Sequence, residues 1–355
     1  MLRENSTLLN VNKIWFFLVL LHVLGSVWIT ILEGIPFGMA ICASAIWIFL
    51  GNALKKDKIQ RMLCVGAWGL TLLVFYFLNV SSQGTLLLNE CIFAGEVWLC
   101  HADHISLIKY CSIKKISPLV FPLILVISVL LFCTSGFVNA CSLLFFQNCV
   151  EGSIQSSTDY PIFALVNTAV IPAVVEEIFF RGFLYRGIDN KKKAVLISAI
   201  LFALLHMNFN QMSYALLMGI FFGITIYVTD NLTISILIHL LFNAITVGKE
   251  YFFQTAILKR ILGWKIAGYA PLDPVVIDGT GHVIKSVLLS GGIIAIIAFL
   301  MSVWLLSCMG KLQPNRAKDQ PRIQEVVLKK WKPDIKVLIG CGLCFLTAVL
   351  TEILL

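Results

Sequence analysis

Long runs of apolar residues alternate along the whole chain with short polar segments. Most runs approach 20 residues, about the length of helix that crosses roughly 30 Å of hydrocarbon. Because backbone polar groups find no water in a bilayer, spans of this kind form helices. The clear spans lie near residues 14–32, 36–54, 62–80, 117–146, 161–188, 194–207, 212–228, 232–248, 284–308 and 337–355. The pattern predicts an all-α fold, a polytopic transmembrane helical bundle.

The stretch 84–107 leaves the number of crossings open. It is interrupted by Glu90, Glu96, Asp103 and two histidines. We therefore expect about eight to eleven spans. Composition agrees, because 59% of the 355 residues are hydrophobic and only 13% are charged.

Positive charge is concentrated in a few loops, and the net charge is +8. Loops rich in Lys and Arg stay cytoplasmic, which predicts an inside N-terminus and an outside position for the acidic loop 147–159. Alternation of the spans then requires 84–107 to cross or re-enter the membrane and places the mildly basic loop 249–283 outside. The segments assigned to the inside by this rule are Lys55–Arg61, Lys109–Lys115, Arg181–Lys193 and Lys311–Lys336.

The basic tail Lys311–Lys336 is typical of a solvated linker that touches anionic lipid. Because Trp331 is its single aromatic residue, we expect no nucleic-acid partner. Most of the eleven cysteines fall at irregular spacing inside apolar spans, where Cys packs as a small hydrophobe. We expect a multi-pass protein of a cell membrane, specifically a bacterial plasma membrane, with lipids and a peptide or protein substrate as partners.

Two adjacent carboxylates, Glu176 and Glu177, lie inside an apolar helix. A charged side chain near the bilayer centre costs about 2.5 to 3.5 kcal/mol, so two acids there point to a functional site. Glu177 and Arg181 are spaced i, i+4 and share a helix face, which favours an ion pair. Glu176 is rotated by about 100° from Glu177 and is therefore free for chemistry.

Two later helices each carry a further polar pair at i, i+4 spacing. Phe202 and His206 belong to one helix, and His239 and Asn243 belong to another. The polar turn 189–193 predicts an antiparallel hairpin that brings Glu176 and His206 to a similar depth, about 20 Å from the turn.

Together these motifs resemble the signature of the CAAX-protease and bacteriocin-processing family of intramembrane proteases, also called Abi proteins. The three motifs are Glu176-Glu177-x-x-x-Arg181, Phe202-x-x-x-His206 and His239-x-x-x-Asn243. The resemblance covers about residues 161–250. It divides the chain into N-terminal transmembrane helices (1–160), a catalytic helical core (161–250), and a C-terminal loop with transmembrane helices and the basic linker (251–355).

The resemblance implies an intramembrane endopeptidase of the glutamate type, although the family is often labelled metalloprotease. Glu176, with His206, would activate water, and His239 with Asn243 would stabilise the oxyanion. Glu177, Arg181 and Phe202 would order the site. The residues themselves support this chemistry, since a carboxylate among apolar side chains suits a general base and an imidazole with a carboxamide suits an oxyanion hole.

Three alternatives remain open from the sequence. Glu176, His206 and His239 could form a two-His, one-carboxylate zinc site, although the compact H-E-x-x-H arrangement is absent. We expect no cofactor, with zinc as the alternative. An ion-coupled transporter would also use buried Glu and His, but no inverted repeat is visible. A non-catalytic scaffold or bacteriocin-immunity protein would not need all three pairs.

Overall fold

The computed structural model describes residues 11–35, 37–53, 58–102, 106–147, 160–252, 281–312 and 332–354. Most of the predicted outside loops (147–159 and 249–283) and of the basic linker lies outside the described residues, as does Asp103. The helices are α1 Val11–Glu33, α2 Gly38–Ala53, α3 Lys58–Phe77, α4 Val80–Ala102, α5 Leu107–Tyr110, α6 Phe121–Ser142, α7 Pro161–Leu184, α8 Lys191–Leu205, α9 Phe209–Thr229, α10 Leu232–Phe252, α11 Gly281–Leu312 and α12 Ile335–Leu354.

The described part of the chain contains helices and no strand, which confirms the predicted all-α transmembrane bundle. Seven of its helices, α1, α6, α7, α9, α10, α11 and α12, are long and apolar enough to cross a membrane. Two shorter apolar helices, Gly38–Asn52 and Arg61–Phe77, lie in the N-terminal region. The ambiguous stretch forms the 23-residue helix α4.

Helix α7 is not a regular α-helix. Its segments Val166–Val170 and Ile178–Leu184 are π-helical, and they flank the α-helical segment Ile171–Glu177. Pro172 lies near the first π-helical segment and cannot donate a backbone hydrogen bond. Segments of π-helix are rare and occur frequently at functional sites. The two carboxylates thus sit at the end of a short α-helical stretch between two wider turns.

Helices α8 and α9 form a tight hairpin. Asn190 caps α8 by accepting a hydrogen bond from Lys193 N at 3.1 Å. A Cβ atom added at Gly219 of α9 would lie 2.9 Å from Ala199 Cα, and one at Gly223 would lie 3.1 Å from Val195 Cα. Only glycine permits the two backbones to approach this closely, as is common between membrane helices.

Two ion pairs at the C-terminal end of α9 join the loop that carries Lys114 to the loop that carries Arg186, and this group is called the clasp. Asp230, in the left-handed conformation at φ 44°, contacts Lys114 Nζ at 2.8 Å and Arg186 Nη2 at 3.0 Å. Burial raises the pKa of Asp230, but the hydrogen bond from Lys114 and the charge of Arg186 outweigh it and lower the pKa below its usual value. The clasp connects two loops that the charge pattern predicts to be cytoplasmic.

Candidate active site

The ion pair predicted between Glu177 and Arg181 is present and completely buried. Arg181 Nη1 donates to Glu177 Oε1 at 2.8 Å, and both side chains have 0% exposure. Arg181 Nη2 donates to the carbonyl oxygen of Gly219 at 3.1 Å. A buried ion pair is favourable only when further hydrogen bonds satisfy its members, and these contacts supply some of them.

Two residues of α10 complete the environment of Glu177. Ser235 Oγ donates to Glu177 Oε2 at 2.6 Å, and His239 Nδ1 lies 3.2 Å from Glu177 Oε1. The sequence interpretation did not include Ser235, although its i, i+4 spacing from His239 is the same signal that identified the other pairs. Glu177 therefore links α7 to α10 and orients the His239 ring.

Aromatic rings enclose the guanidinium group of Arg181. Its Cζ lies 4.5 Å from the ring centroid of Phe202 and 5.1 Å from that of Phe222, distances at which cation–π attraction operates. The ring of Phe222 also stacks on His239, with centroids 4.7 Å apart. Phe202 thus lies against the guanidinium group, and its ordering role stays a prediction. Phe222 makes a similar contact but carried no polar signal in the sequence.

Glu176 has an environment unlike that of Glu177. Its side chain is 26% exposed, and its Oε2 lies 3.8 Å from His239 Nε2. The two adjacent side chains therefore point in different directions, as a rotation of about 100° per residue predicts. The carboxylate of Glu177 accepts from several donors, and that of Glu176 is accessible. The imidazole beside Glu176 is that of His239.

His206 occupies the C-terminal end of α8. Its Nδ1 lies 2.9 Å from the carbonyl oxygen of Phe202, and because a carbonyl only accepts, Nδ1 carries the proton. The neutral ring then presents a lone pair at Nε2. Phe202 is 4.9 Å from the His206 ring and 6.1 Å from the His239 ring, so both imidazoles border the same aromatic side chain. A joint action of His206 and Glu176 stays a prediction.

Asn243 connects α10 back to α7. Its Nδ2 donates to the carbonyl oxygen of Thr168 at 3.4 Å. In a regular α-helix that carbonyl would accept from residue 172, which is proline and has no N–H. One amide hydrogen of Asn243 is thus used for positioning, and the second is free to donate.

Glu176, His206 and His239 are the residues that would hold zinc if the chain used it. Within the described ranges no three His, Cys, Asp or Glu side chains are grouped closely enough to share a metal ion. The expectation of a reaction without a metal stays a prediction, with zinc as its alternative.

The comparison with known families agrees with these motifs. Residues 158–245 match the model of the family described as type II CAAX prenyl endopeptidase Rce1-like. No curated protein and no solved structure matches the chain. The matched segment contains every motif residue described above, from Glu176 to Asn243. Over these residues the chain is similar to the Rce1-like family of type II CAAX prenyl endopeptidases.

Proposed function

We propose that the protein hydrolyses a peptide bond of a membrane-associated protein or peptide, with Glu176 as the general base. The contrast between the two adjacent glutamates supports this role. Glu177 is buried with a cation and hydrogen-bond donors, whereas Glu176 is accessible and lies 3.8 Å from His239 Nε2, beyond hydrogen-bond distance. A general base needs an accessible lone pair, and the 26% exposed side chain of Glu176 offers one.

His239 and Asn243 are proposed to stabilise the oxyanion. Glu176 Oε2 and His239 Nε2 lie 3.8 Å apart, so the proposed base and the proposed oxyanion donor are neighbours and a carbonyl group would bind beside both. Since His239 Nδ1 donates to Glu177, a second proton at Nε2 is needed for this role. That proton would give the four groups Glu176, Glu177, Arg181 and His239 no net charge, a favourable state in a low-dielectric interior.

His206 is proposed to move the proton that the reaction transfers. Glu176 takes one proton from water as the hydroxide oxygen forms a bond with the carbonyl carbon. The C–N bond breaks when the departing nitrogen receives a proton, so that an acid and an amine are produced. A neutral His206 has a lone pair at Nε2. In the proposed role it accepts the proton that Glu176 took from water and donates it to the departing nitrogen.

The proposed reaction does not depend on a metal. Support comes from the lack of a three-ligand cluster in the described segments and from the roles already taken by both histidines. Prolonged treatment with 1,10-phenanthroline, followed by metal analysis, should leave a metal-free and active enzyme. Stoichiometric zinc whose removal abolishes activity and whose return restores it would overturn this part of the proposal.

Comparative proteomics of membranes would test the function as a whole. Cells producing the Glu176→Ala variant should accumulate uncleaved precursors that are processed in cells with the native protein. A Glu96→Ala variant, altered at a buried acid outside the proposed site, is the matched control and should process the same precursors. Identical peptide termini in all three strains would contradict the proposal. We also propose a bacterial plasma membrane as the location.

A further inference from the structure

A cavity of about 480 Å³ lies between α2 and α3. Residues of the last turns of α2 and of the first turns of α3 line it, and all of them precede the matched segment 158–245. Sites for small ligands have volumes of about 300 to 1,000 Å³. The loop between the two helices belongs to the basic segment Lys55–Arg61, so the cavity lies at the end of α2 and α3 that the charge pattern predicts to be cytoplasmic.

Two tryptophans line this cavity, and hydrogen bonds hold both rings in place. Trp47 Nε1 donates to Glu90 Oε1 at 3.2 Å, and Trp68 Nε1 donates to Ser44 Oγ at 2.9 Å. Because both indole N–H groups are used in this way, the rings present apolar surface to the cavity rather than donors. Tryptophan is enriched where the headgroups of a membrane meet its hydrocarbon. The cavity thus has fixed aromatic walls of the kind found at that depth.

A positive charge lies at the loop end of the cavity. Arg61 is the charged residue among those that line it, and its side chain is exposed. Within the described ranges no acid forms an ion pair with Arg61. The segment 55–61 contains four basic residues and one acid, Asp57, which lies outside the described residues. An anion therefore fits this end, and a guanidinium group suits phosphate because it can donate two parallel hydrogen bonds.

The cavity continues into the surface that faces the lipid. Ile48 and Val65 line it and are 55% and 63% exposed. Trp68 follows Arg61 by seven residues, which is about 10 Å along α3. A ligand in the cavity therefore meets a cation at the loop end and, about 10 Å farther along the helix, aromatic and aliphatic side chains. This combination fits an amphiphile with an anionic headgroup.

We propose that the cavity binds an anionic glycerophospholipid of the cytoplasmic leaflet. The phosphate lies at Arg61 and at Asn52, whose amide group also lines the cavity. The acyl chains begin against Trp68 and leave the cavity past Ile48 and Val65. Basic pockets between transmembrane helices on the cytoplasmic side bind lipids of this charge. None of these residues belongs to the proposed active site, so the inference does not depend on the proposed function.

Removal of the cation tests the headgroup contact. The full-length protein, freed of lipid in detergent, would be titrated with phosphatidylglycerol, and the affinity for the first bound lipid would be measured by native mass spectrometry. Arg61→Gln should weaken this affinity about 5- to 10-fold, as expected for one cation near an anionic headgroup. The matched control is Lys192→Gln, the same loss of charge at an exposed residue that does not line the cavity, and its affinity should be native. Native affinity in Arg61→Gln, or equal losses in both variants, would overturn the proposal.

A glycine substitution tests whether the lipid occupies the cavity itself. Gly51 lines the cavity, and a Cβ atom added there would lie 4.0 Å from Cys64 Cβ, an ordinary contact. Gly51→Leu should therefore fill the space without a backbone clash and lower the affinity about 10-fold or more. Gly66→Leu is the control, because Gly66 has nothing within 4 Å of an added Cβ and does not line the cavity. Native binding by a folded Gly51→Leu protein would place the lipid elsewhere and contradict the proposal.

The choice of ligand identifies the occupant. Phosphatidylglycerol should raise the temperature of unfolding of the native protein and have a smaller effect on Arg61→Gln, because a ligand that binds only the folded state stabilises it. Phosphatidylcholine with the same acyl chains has no net charge, and inorganic phosphate has no chains, so neither should reproduce the shift at the same concentration. An equal shift with phosphatidylcholine would show that the cavity does not select an anionic lipid. An equal shift with phosphate alone would show a site for a soluble anion, and either result would refute the proposal.

Discussion

Two regions of the molecule hold a pair of glutamates each, in different environments. In α7, Glu177 accepts hydrogen bonds from Arg181 and Ser235 and lies beside His239. In α4, Glu96 is 3% exposed, and among the described residues neither of its carboxylate oxygens has a hydrogen-bond partner. A buried charge needs a counter-charge and donors, whereas burial alone favours the neutral acid. Burial of an acid alone thus does not point to a reactive site, and the proposed site in α7 differs from α4 by its cation and its partly exposed neighbouring acid.

The largest expected effect distinguishes the two regions by activity. Glu176→Gln keeps the volume of the side chain but cannot take a proton, so it should lower kcat by about 10²- to 10⁴-fold or more. The matched substitution Glu96→Gln should leave kcat near that of the native enzyme. Both variants should give native yields in the membrane. Cleavage of a precursor peptide by the purified proteins provides the measurement, and near-native turnover by Glu176→Gln would remove Glu176 from the mechanism.

The next effect concerns stability. Glu177→Gln leaves Arg181 as a buried charge without its partner and should destabilise the fold by about 3 to 5 kcal/mol. Glu96→Gln removes no ion pair, so its cost should be much smaller. Unfolding of the purified proteins in mixed detergent would report the difference. Similar losses of stability in the two variants would show that the Glu177–Arg181 ion pair contributes no more to stability than the unpaired Glu96.

A smaller loss is expected from Ser235→Ala. The substitution removes the donor to Glu177 Oε2 inside a buried network and should cost about 1 to 3 kcal/mol. The same unfolding measurement applies. The matched variant for α4 is Thr71→Ala, which removes a hydrogen-bond donor to Glu90. If Ser235→Ala has no effect on stability or turnover, Ser235 is not part of the network that holds His239 in place.

The smallest effect is predicted at the clasp outside both regions. Asp230→Asn keeps a residue that tolerates the left-handed conformation but removes the charge, and it should cost about 1 kcal/mol or less because the ion pairs are partly exposed. The pKa of Asp230 is lowered in the fold, so its contribution is present above the ordinary aspartate pKa of about 3.9 and is lost as pH falls through the folded value. The stability difference between native protein and variant should therefore be the same at pH 7 and pH 5 and should disappear only under stronger acid.

The fold and the charge pairing followed from local patterns, but the contacts between helices did not. Spacing along one helix predicts the partner of Glu177, because i, i+4 positions meet whatever surrounds them. The hairpin estimate concerned the depth of Glu176 and gave no information on its rotation about the helix axis. The structure places His239 beside Glu176, and rotation depends on the π-helical segments, which hydrophobic periodicity does not report.

The wide turns of α7 also affect how this protein could tolerate changes in length. A π-helical segment has the geometry of an α-helix that has absorbed an inserted residue, so removal of one residue from Val166–Val170 would allow a return to regular winding. The part of α7 before the deletion would then turn by about 100° relative to Glu176. Thr168 would no longer face Asn243. A single-codon deletion would thus break the contact between α7 and α10 at the site while every acid and imidazole stays intact. Insertions or deletions in this segment should therefore lower activity as much as loss of a catalytic side chain.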